Sequence, residues 1–448
     1  METPPLSSPP PSSSPLSSSP LSPPRKRHVA AVVVGNALEF YDFTTYAYFA
    51  AQIGATFFPF KTPFLSLLAS LAAFGIGFLG RPVGGVLIGA YADRAGRRPA
   101  MMLSFALMGV AILAFVLMPS YARIGIAAPV LVVIIRFLQG IAVGGDVGPT
   151  TAFLLEAAPE RRRGFFAALQ FSSQGLSSVC AGAIGVTLAS VLGAQELQDW
   201  GWRLALGLGA AILPFGFLIR RTLPETLHPH EIATTARPPL PPRNGWLGAR
   251  LPPHAWRTIV LGFCMLASAT VGFYVVAYLT TYASQFLHMK TSVSLGATLV
   301  FGIANIVFSA LAGHLSDLYG RKPVMIVPRV LFLFAIWPAF ALLVARRDTA
   351  TLLGAALVLG ALGQMAAVVV VSLSEALPKQ VRSAGLATTY ALAISIFGGT
   401  AQFNVTWLIG ATGDVMVPAY YLMAATALGI VAMALMHETA PVKLPGDA

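Results

Sequence analysis

The chain has 448 residues, of which 56% are hydrophobic and only 10% are charged, and its formal net charge is +12. A soluble globular domain carries roughly 25% charged residues, so a chain of this composition cannot cover a surface that faces water. The composition excludes a water-soluble fold and indicates a protein whose main partner is the lipid bilayer.

Apolar stretches long enough to cross a membrane recur along the whole chain. They predict an all-α membrane protein with about twelve transmembrane helices, arranged in two pseudo-symmetric six-helix bundles. The predicted spans are residues 29–57, 65–91, 99–118, 126–149, 164–192, 202–220, 257–286, 293–315, 323–344, 351–374, 383–410 and 417–436.

Polar stretches divide this apolar chain. Residues 1–27 begin with a Pro/Ser tract that buries little apolar surface, so we expect a disordered cytoplasmic tail. Residues 222–256 are Pro-rich and basic, which predicts a cytoplasmic linker between an N-terminal bundle at 28–221 and a C-terminal bundle at 257–438. Residues 439–448 are expected to form a second cytoplasmic tail.

Most of the 29 Lys and Arg residues fall in the tails, the linker and the loops on one side of the predicted spans. Loops rich in Lys and Arg face the cytoplasm, so we expect both termini to be cytoplasmic. Because the positive charge follows the membrane topology, we predict no nucleic-acid partner.

One ten-residue phrase occurs twice, at a spacing of half the chain. The copies read GAYADRAGRR and GHLSDLYGRK, and their aspartates, Asp93 and Asp317, lie 224 residues apart. A second pair, Glu156 and Glu375, lies 219 residues apart. Two landmarks at nearly the same offset indicate two related halves, as in a duplicated transporter.

Each copy of the phrase ends an apolar run and begins a basic turn, which predicts a cytoplasmic gate. The leading glycines, Gly89 and Gly313, permit close helix approach. The Asp can pair with the following Arg or accept from the N-terminus of a neighbouring helix. The alternative is an ordinary loop with positive-inside charges. The candidate gate residues are Gly89, Asp93, Arg97, Arg98, Glu156, Asp317, Arg321 and Glu375.

The repeated phrase resembles the signature loop of the major facilitator superfamily. Longer segments resemble its metabolite–proton symporter family, and this resemblance covers nearly everything from residue 28 to 438. The segments are GNALEFYDF (35–43), FLGRPVGGVLIGAYADRAGRR (78–98), RFLQGIAVGGDVG (136–148), DWGWR (199–203) and SIFGGTAQ (395–402). GIANIVFSALAGHLSDLYGRKPVMI (302–326) looks most similar to citrate and tricarballylate carriers. Asp146 departs from the family, which usually has Glu there.

Charged residues inside predicted spans are functional candidates because burying a charge in a bilayer is costly. We expect Arg81 and Arg136 to bind substrate carboxylates, since a guanidinium matches a carboxylate bidentately. Glu39, Asp42 and Asp146 are the candidates for proton coupling. The alternative for these charges is a static ion pair that fixes helix packing.

The remaining candidates are polar and uncharged, and most of them lie in the second half of the chain. In the first half, Gln170 and Gln174 form an i, i+4 pair on the fifth predicted span. All of these groups also serve as hydrogen-bond links between helices, which is the competing interpretation. Arg329 lies close to the cytoplasmic end of its predicted span, so we expect it to snorkel. In addition to the two arginines, the candidates for substrate binding are Gln170, Gln174, Asn305, Tyr390, Gln402 and Asn404, and Gln364 is a further polar residue of the same kind.

The resemblance implies a bacterial inner-membrane transporter that takes up a small organic acid by alternating access. The expected substrate is citrate or a related tricarboxylate, and the expected coupling ion is the proton, with no other cofactor, no metal and no enzyme activity. The alternatives are a symporter for a dicarboxylate, a shikimate-like acid or a zwitterionic osmolyte, or a transporter-like membrane sensor. We expect a monomer.

Overall fold

The computed structural model of the protein describes residues 26–156, 158–222, 253–377 and 382–440. These ranges contain helices and no β-strand, which confirms the predicted all-α class. Most of the predicted tails and most of the predicted linker lie outside the described residues.

Six helical spans, α1 to α6, make up the described part of the N-terminal half. Their bounds are Lys26–Tyr48 and Ala50–Phe57 for the two parts of α1, Pro63–Ala95 for α2, Arg97–Leu117 for α3, Ala127–Glu156 for α4, Arg163–Val191 for α5, and Trp202–Gly207 and Ile212–Thr222 for the two parts of α6.

Six further spans, α7 to α12, make up the described part of the C-terminal half. Their bounds are Pro253–Ala277 and Leu279–Gln285 for α7, Thr291–Tyr319 for α8, Arg321–Arg346 for α9, Thr349–Gln364 and Val369–Ala376 for α10, Arg382–Ala393 and Gly399–Thr412 for α11, and Val417–Leu435 for α12. A 3-10 turn at Met365–Val368 joins the two parts of α10, and a π-turn at Ile394–Gly398 joins those of α11.

All twelve predicted spans coincide with helix in the described residues. Ten of the helical stretches there are long and apolar enough to cross a membrane. The first and sixth predicted spans are helical but are not among those ten. In α1, Glu39 and Asp42 lower the hydropathy, and in α6 a 3-10 turn at Leu208–Ala211 interrupts the helix.

The repeated phrase folds into the same turn in both halves. Gly96 separates α2 from α3 with φ 102° and ψ 157°, and Gly320 separates α8 from α9 with φ 101° and ψ 162°. Only glycine adopts such a backbone conformation readily, because it has no Cβ. The duplication inferred from the sequence is therefore visible as matching backbone geometry.

Glycines allow α2 and α4 to cross at close range. A Cβ at Gly80 or Gly84 would collide with the α4 backbone, and a Cβ at Gly140 or Gly144 would collide with the α2 backbone. Gly89 differs, because a Cβ there would meet no heavy atom of the described residues within 4 Å. The neighbouring residue, Ile88, packs against α4, where a Cβ at Gly145 would lie 2.6 Å from its side chain, so the role of Gly89 itself in close helix approach stays a prediction.

The two halves meet along two seams. In the first, α5 packs against α8, where a Cβ at Gly302 would lie 2.8 Å from the carbonyl oxygen of Gly175. Gly313 lies further along this seam. A Cβ at Gly313 would lie 2.6 Å from the carbonyl oxygen of Gly164, which confirms close helix approach at that position. In the second seam, α2 packs against α11, where the Ser395 hydroxyl donates to the carbonyl of Phe78 at 2.8 Å.

Candidate functional site

A cavity lies between the two halves, lined by α1, α2 and α5 from one half and by α7, α10 and α11 from the other. Among the described residues that line it, Arg81 is the only charged side chain. The polar and aromatic lining residues are Phe40, Phe171, Gln174, Thr270, Phe273, Tyr274, Gln364 and Tyr390. The cavity therefore combines one cation with hydrogen-bonding groups and aromatic rings.

Aromatic rings of α1 and α2 hold the Arg81 guanidinium in place. Its central carbon lies 4.1 Å from the ring centroid of Phe78, 4.8 Å from that of Phe43 and 5.6 Å from that of Phe40. Ring faces attract cations without neutralising them. The arrangement fixes the direction of the guanidinium and leaves its positive charge available to a ligand in the cavity.

Asp42 on α1 and Arg136 on α4 form a separate ion pair. The distance from Nη1 of Arg136 to Oδ2 of Asp42 is 3.0 Å, and neither side chain is exposed. The Arg136 guanidinium also lies 4.0 Å from the ring centroid of Tyr46. Neither charged residue lines the central cavity, so the structure separates Arg136 from the place that Arg81 occupies.

Two contacts connect the ion pair with Arg81. Phe43 follows Asp42 in the chain, and its ring lies against the Arg81 guanidinium. At Gly77, a Cβ would lie 3.2 Å from the carbonyl oxygen of Arg136, so α2 and α4 touch beside the pair. A change at Asp42 can thus reach the cavity through α1 and through the α2–α4 crossing.

The second copy of the repeated phrase forms a network at the boundary between the halves. Asp317, near the end of α8, accepts hydrogen bonds of 2.9 Å from the backbone N–H groups of both Gly164 and Phe165 on α5. Arg321 donates to Asp317 at 2.7 Å and to Glu375 on α10 at 3.0 Å. The structure therefore brings together three of the predicted gate residues.

Glu438, which follows α12, adds a member that the sequence analysis missed. Its carboxylate accepts from the backbone N–H groups of Arg321 at 2.9 Å and Lys322 at 3.0 Å, at the start of α9. Burial raises the pKa of the Glu438 carboxyl, but bonds from four backbone N–H groups outweigh that effect, so the pKa lies below its usual value. The carboxylate is charged and caps α9.

Comparisons with known proteins agree with this architecture. A family model described as Major Facilitator Superfamily matches residues 32–298, and one described as Sugar (and other) transporter matches residues 246–445. The chain belongs to the major facilitator superfamily. It resembles the solved structure of the xylose transporter XylE from E. coli in a partially occluded inward open conformation, with a TM-score of 0.72 and 17% identity over 92% of this chain and 97% of that chain.

Curated relatives of this major facilitator protein are named transporters. The "Citrate-proton symporter" of Klebsiella pneumoniae is 35% identical over 93% of each chain. The "Glycine betaine/proline/ectoine/pipecolic acid transporter OusA" of Dickeya dadantii is 30% identical over 94% of this chain and 85% of its own. The superfamily and these relatives confirm a membrane transporter rather than an enzyme.

Three predicted binding residues of the transporter line the central cavity together: Arg81, Gln174 and Tyr390. Gln402 lines a second, smaller cavity that also includes Phe40 and Tyr274, and its amide donates to the carbonyl of Tyr274 at 3.3 Å. These four residues lie on both halves, as a site between two bundles requires.

The other polar candidates lie away from the central cavity. Asn305 accepts a hydrogen bond from Ser309 at 2.9 Å, one turn further along α8. Asn404 donates to the hydroxyl of Tyr421 at 3.5 Å, between α11 and α12. Gln170 is buried on α5 and does not line the cavity. For Asn305 and Asn404 the observed contacts correspond to hydrogen bonds within the bundle.

Several predicted residues have no described side chain. Among the gate candidates these are Asp93, Arg97, Arg98 and Glu156, and among the proton-coupling candidates Asp146. Glu39 is described and is fully buried on α1, one turn before Asp42. The roles of these residues remain predictions.

The structure corrects the expectation for Arg329. Its side chain is 1% exposed and donates to the carbonyl of Gly363 at 3.4 Å and to the hydroxyl of Ser268 at 3.3 Å. The prediction that Arg329 snorkels is wrong, because the side chain turns into the C-terminal half.

Tyr274 lines the central cavity and is not among the binding residues predicted from the sequence. Nothing in the sequence distinguishes a tyrosine that lines a cavity from one that packs between helices.

Proposed function

We propose that this transporter is a proton-coupled symporter of a small organic acid, with citrate as the first candidate. The observation that carries the proposal is Arg81, the only charged side chain among the described residues that line the central cavity. A cavity with a cation and no described carboxylate in its lining favours an anionic ligand. The Klebsiella pneumoniae relative named "Citrate-proton symporter" supports the same substrate class.

The cavity offers separate groups for the parts of a hydroxylated tricarboxylate. Arg81 binds one carboxylate bidentately. The amides of Gln174 and Gln364 and the phenol of Tyr390 line the same space and are available to a hydroxyl or a further carboxylate. Residues of both halves would hold one ligand, so binding draws the halves together around it.

Asp42 is our candidate for the proton-binding residue. An ion pair with Arg136 requires a charged Asp42 carboxylate, and protonation would leave Arg136 without its counter-charge. Phe43 follows Asp42 in the chain and its ring contacts Arg81, so protonation of Asp42 would change the position of the guanidinium that holds the substrate. That dependence of substrate binding on a protonation state is what coupling requires.

A zwitterionic osmolyte is the second candidate substrate, and the aromatic residues of the cavity lining support it. Five aromatic residues line the cavity, and aromatic faces bind quaternary ammonium groups. Arg81 would then hold the single carboxylate of a betaine. The Dickeya dadantii relative named as a glycine betaine, proline, ectoine and pipecolic acid transporter supports this alternative.

An uptake screen in proteoliposomes tests the proposal. Radiolabelled citrate, succinate, shikimate and glycine betaine are each supplied with and without an inward proton gradient. We expect citrate to accumulate only with the gradient and the unlabelled acid to compete for its uptake. Accumulation of betaine without uptake of any acid would transfer the assignment to the osmolyte class.

A further inference from the structure

Arg329 is a buried cation on α9 that the proposed function does not use. Its side chain is 1% exposed, yet Arg329 is in none of the ion pairs that the described residues form. A buried charge usually has an opposite charge beside it, because removal from water is costly. The partners of Arg329 are instead a carbonyl, a hydroxyl and an aromatic ring.

These partners stabilise the Arg329 guanidinium without neutralising it. Gly363 lies at the end of the first part of α10, where helix carbonyls carry a partial negative charge, and its carbonyl accepts from Nη1. The Ser268 hydroxyl accepts from Nη2, and the ring centroid of Phe332 lies 5.2 Å from the guanidinium carbon. One full positive charge remains.

That charge lies directly behind the wall of the central cavity. Gly363 accepts from Arg329 and also lines the cavity. On α7, a Cβ at Gly272 would lie 3.2 Å from Nη1, and the next residue, Phe273, lines the cavity as well. The cavity thus has Arg81 in the wall of the N-terminal half and Arg329 behind the wall of the C-terminal half.

We propose that Arg329 is a specificity-determining residue whose charge favours substrates with more than one carboxylate group. Water and salt screen a buried charge weakly, so its field extends across the glycine wall into the cavity. Arg81 would hold one carboxylate, and a second carboxylate near Gly363 would be stabilised by Arg329. A quaternary ammonium group in that position would be repelled. This inference rests on the proposed function and refines its substrate class.

The test compares binding of citrate, succinate and lactate, which carry three, two and one carboxylate groups. Dissociation constants are measured by calorimetry on the purified full-length protein and on R329Q, R329K and R203Q. Arg203 is the matched control, because it also donates to backbone carbonyls at the end of a helix, that of Val116 in α3 and that of Met118, just after α3, at 2.8 Å, but lies away from the cavity.

We expect R329Q to weaken citrate binding by about tenfold or more, with a progressively smaller effect on succinate and lactate. R329K keeps the charge and should retain the preference for citrate, and R203Q should match the wild type. The ratio of the citrate and lactate constants is measured on one preparation, so the fraction of folded protein does not affect it.

The outcomes separate the two proposals. If the wild type binds citrate and R329Q leaves the citrate-to-lactate ratio within twofold, the role of Arg329 is overturned and the proposed function stands. If the wild type binds none of the acids, the proposed function fails and the inference fails with it. If R329Q does not fold while R329K does, the charge serves the fold, and the specificity role is overturned.

Discussion

Asp42 on α1 and Arg136 on α4 form an ion pair of 3.0 Å in which neither side chain is exposed. Two charges removed from water depend on each other, because the loss of one leaves the other buried and unpaired, typically at a cost of about 3–5 kcal/mol. A proton arriving at Asp42 would have the same local effect as removing its charge. The pair is therefore sensitive to protonation, and Phe43 connects it with the cavity.

Replacing Asp42 tests its role in coupling. We expect D42N to lose accumulation driven by a pH gradient and to retain exchange of internal for external substrate, because Arg81 and the cavity remain. D42E, which keeps a titratable acid, should retain part of the accumulation. Uptake and exchange are measured in proteoliposomes. Full gradient-driven accumulation in D42N would place the proton site elsewhere, with Glu39 as the next residue to test by E39Q.

Replacing Arg81 tests carboxylate recognition. R81Q should weaken citrate binding by about a hundredfold or more, because a charge-assisted bidentate contact to a buried carboxylate is lost. R81K should recover only part of the affinity, since lysine lacks the planar fork that matches a carboxylate. Calorimetry on the purified variants measures both effects. Wild-type affinity in R81Q would remove Arg81 from the binding site.

The α2–α4 crossing predicts opposite effects for two glycines. A Cβ at Gly144 would collide with the backbone of Arg81, so G144A should destabilise the protein by about 1–3 kcal/mol. The added Cβ of G89A meets none of the described residues and gains helix propensity, so this variant should be neutral or stabilising by up to about 1 kcal/mol. Thermal unfolding in detergent compares the two variants. Equal melting temperatures would contradict the close packing at Gly144.

The Asp317 network predicts protection of the start of α5. Charge-assisted hydrogen bonds to the amides of Gly164 and Phe165 are weakened in D317N, and their hydrogen exchange should accelerate by about tenfold. D348N is the control, because Asp348 accepts from the amide of Thr351 at 2.8 Å at the start of α10. Unchanged hydrogen exchange at Gly164 in D317N would show that Asp317 does not hold the start of α5 closed.

The pKa of Glu438 predicts a pH-dependent contribution to stability. Because this pKa lies below the value of an unfolded chain, about 4.3, the contribution is present above that pH and is lost as the pH falls through the lower, folded pKa. E438Q should therefore melt at a lower temperature than the wild type at pH 7, and the difference should shrink below about pH 4. A difference that is the same at both pH values would contradict the capping role of the charge.

Hydropathy and spacing were sufficient to predict the helical spans and the duplicated halves. Both depend on local sequence: apolar runs of membrane length, and a phrase that requires a left-handed glycine at Gly96 and Gly320. The prominent charged residues were also found, because a charge within an apolar run is visible without a structure.

The partners of those charges were not predictable from the sequence. Arg81 and Arg136 received the same expected role, yet one lines the cavity and the other pairs with Asp42. The difference depends on how far each helix is rotated about its axis, which hydropathy in helices buried on several sides does not define. Arg329 was assigned to the membrane boundary for the same reason, because distance along a helix does not give the direction of a side chain.

Proton movement driven by citrate alone tests most directly whether Arg81 and Asp42 act together. Citrate is added to proteoliposomes that have no imposed pH or voltage difference, and an enclosed dye reports the internal pH while labelled citrate reports entry. We predict that the interior acidifies as citrate enters, and that R81Q abolishes both signals. Citrate entry without acidification, or acidification in D42N equal to that of the wild type, would contradict proton coupling through Asp42.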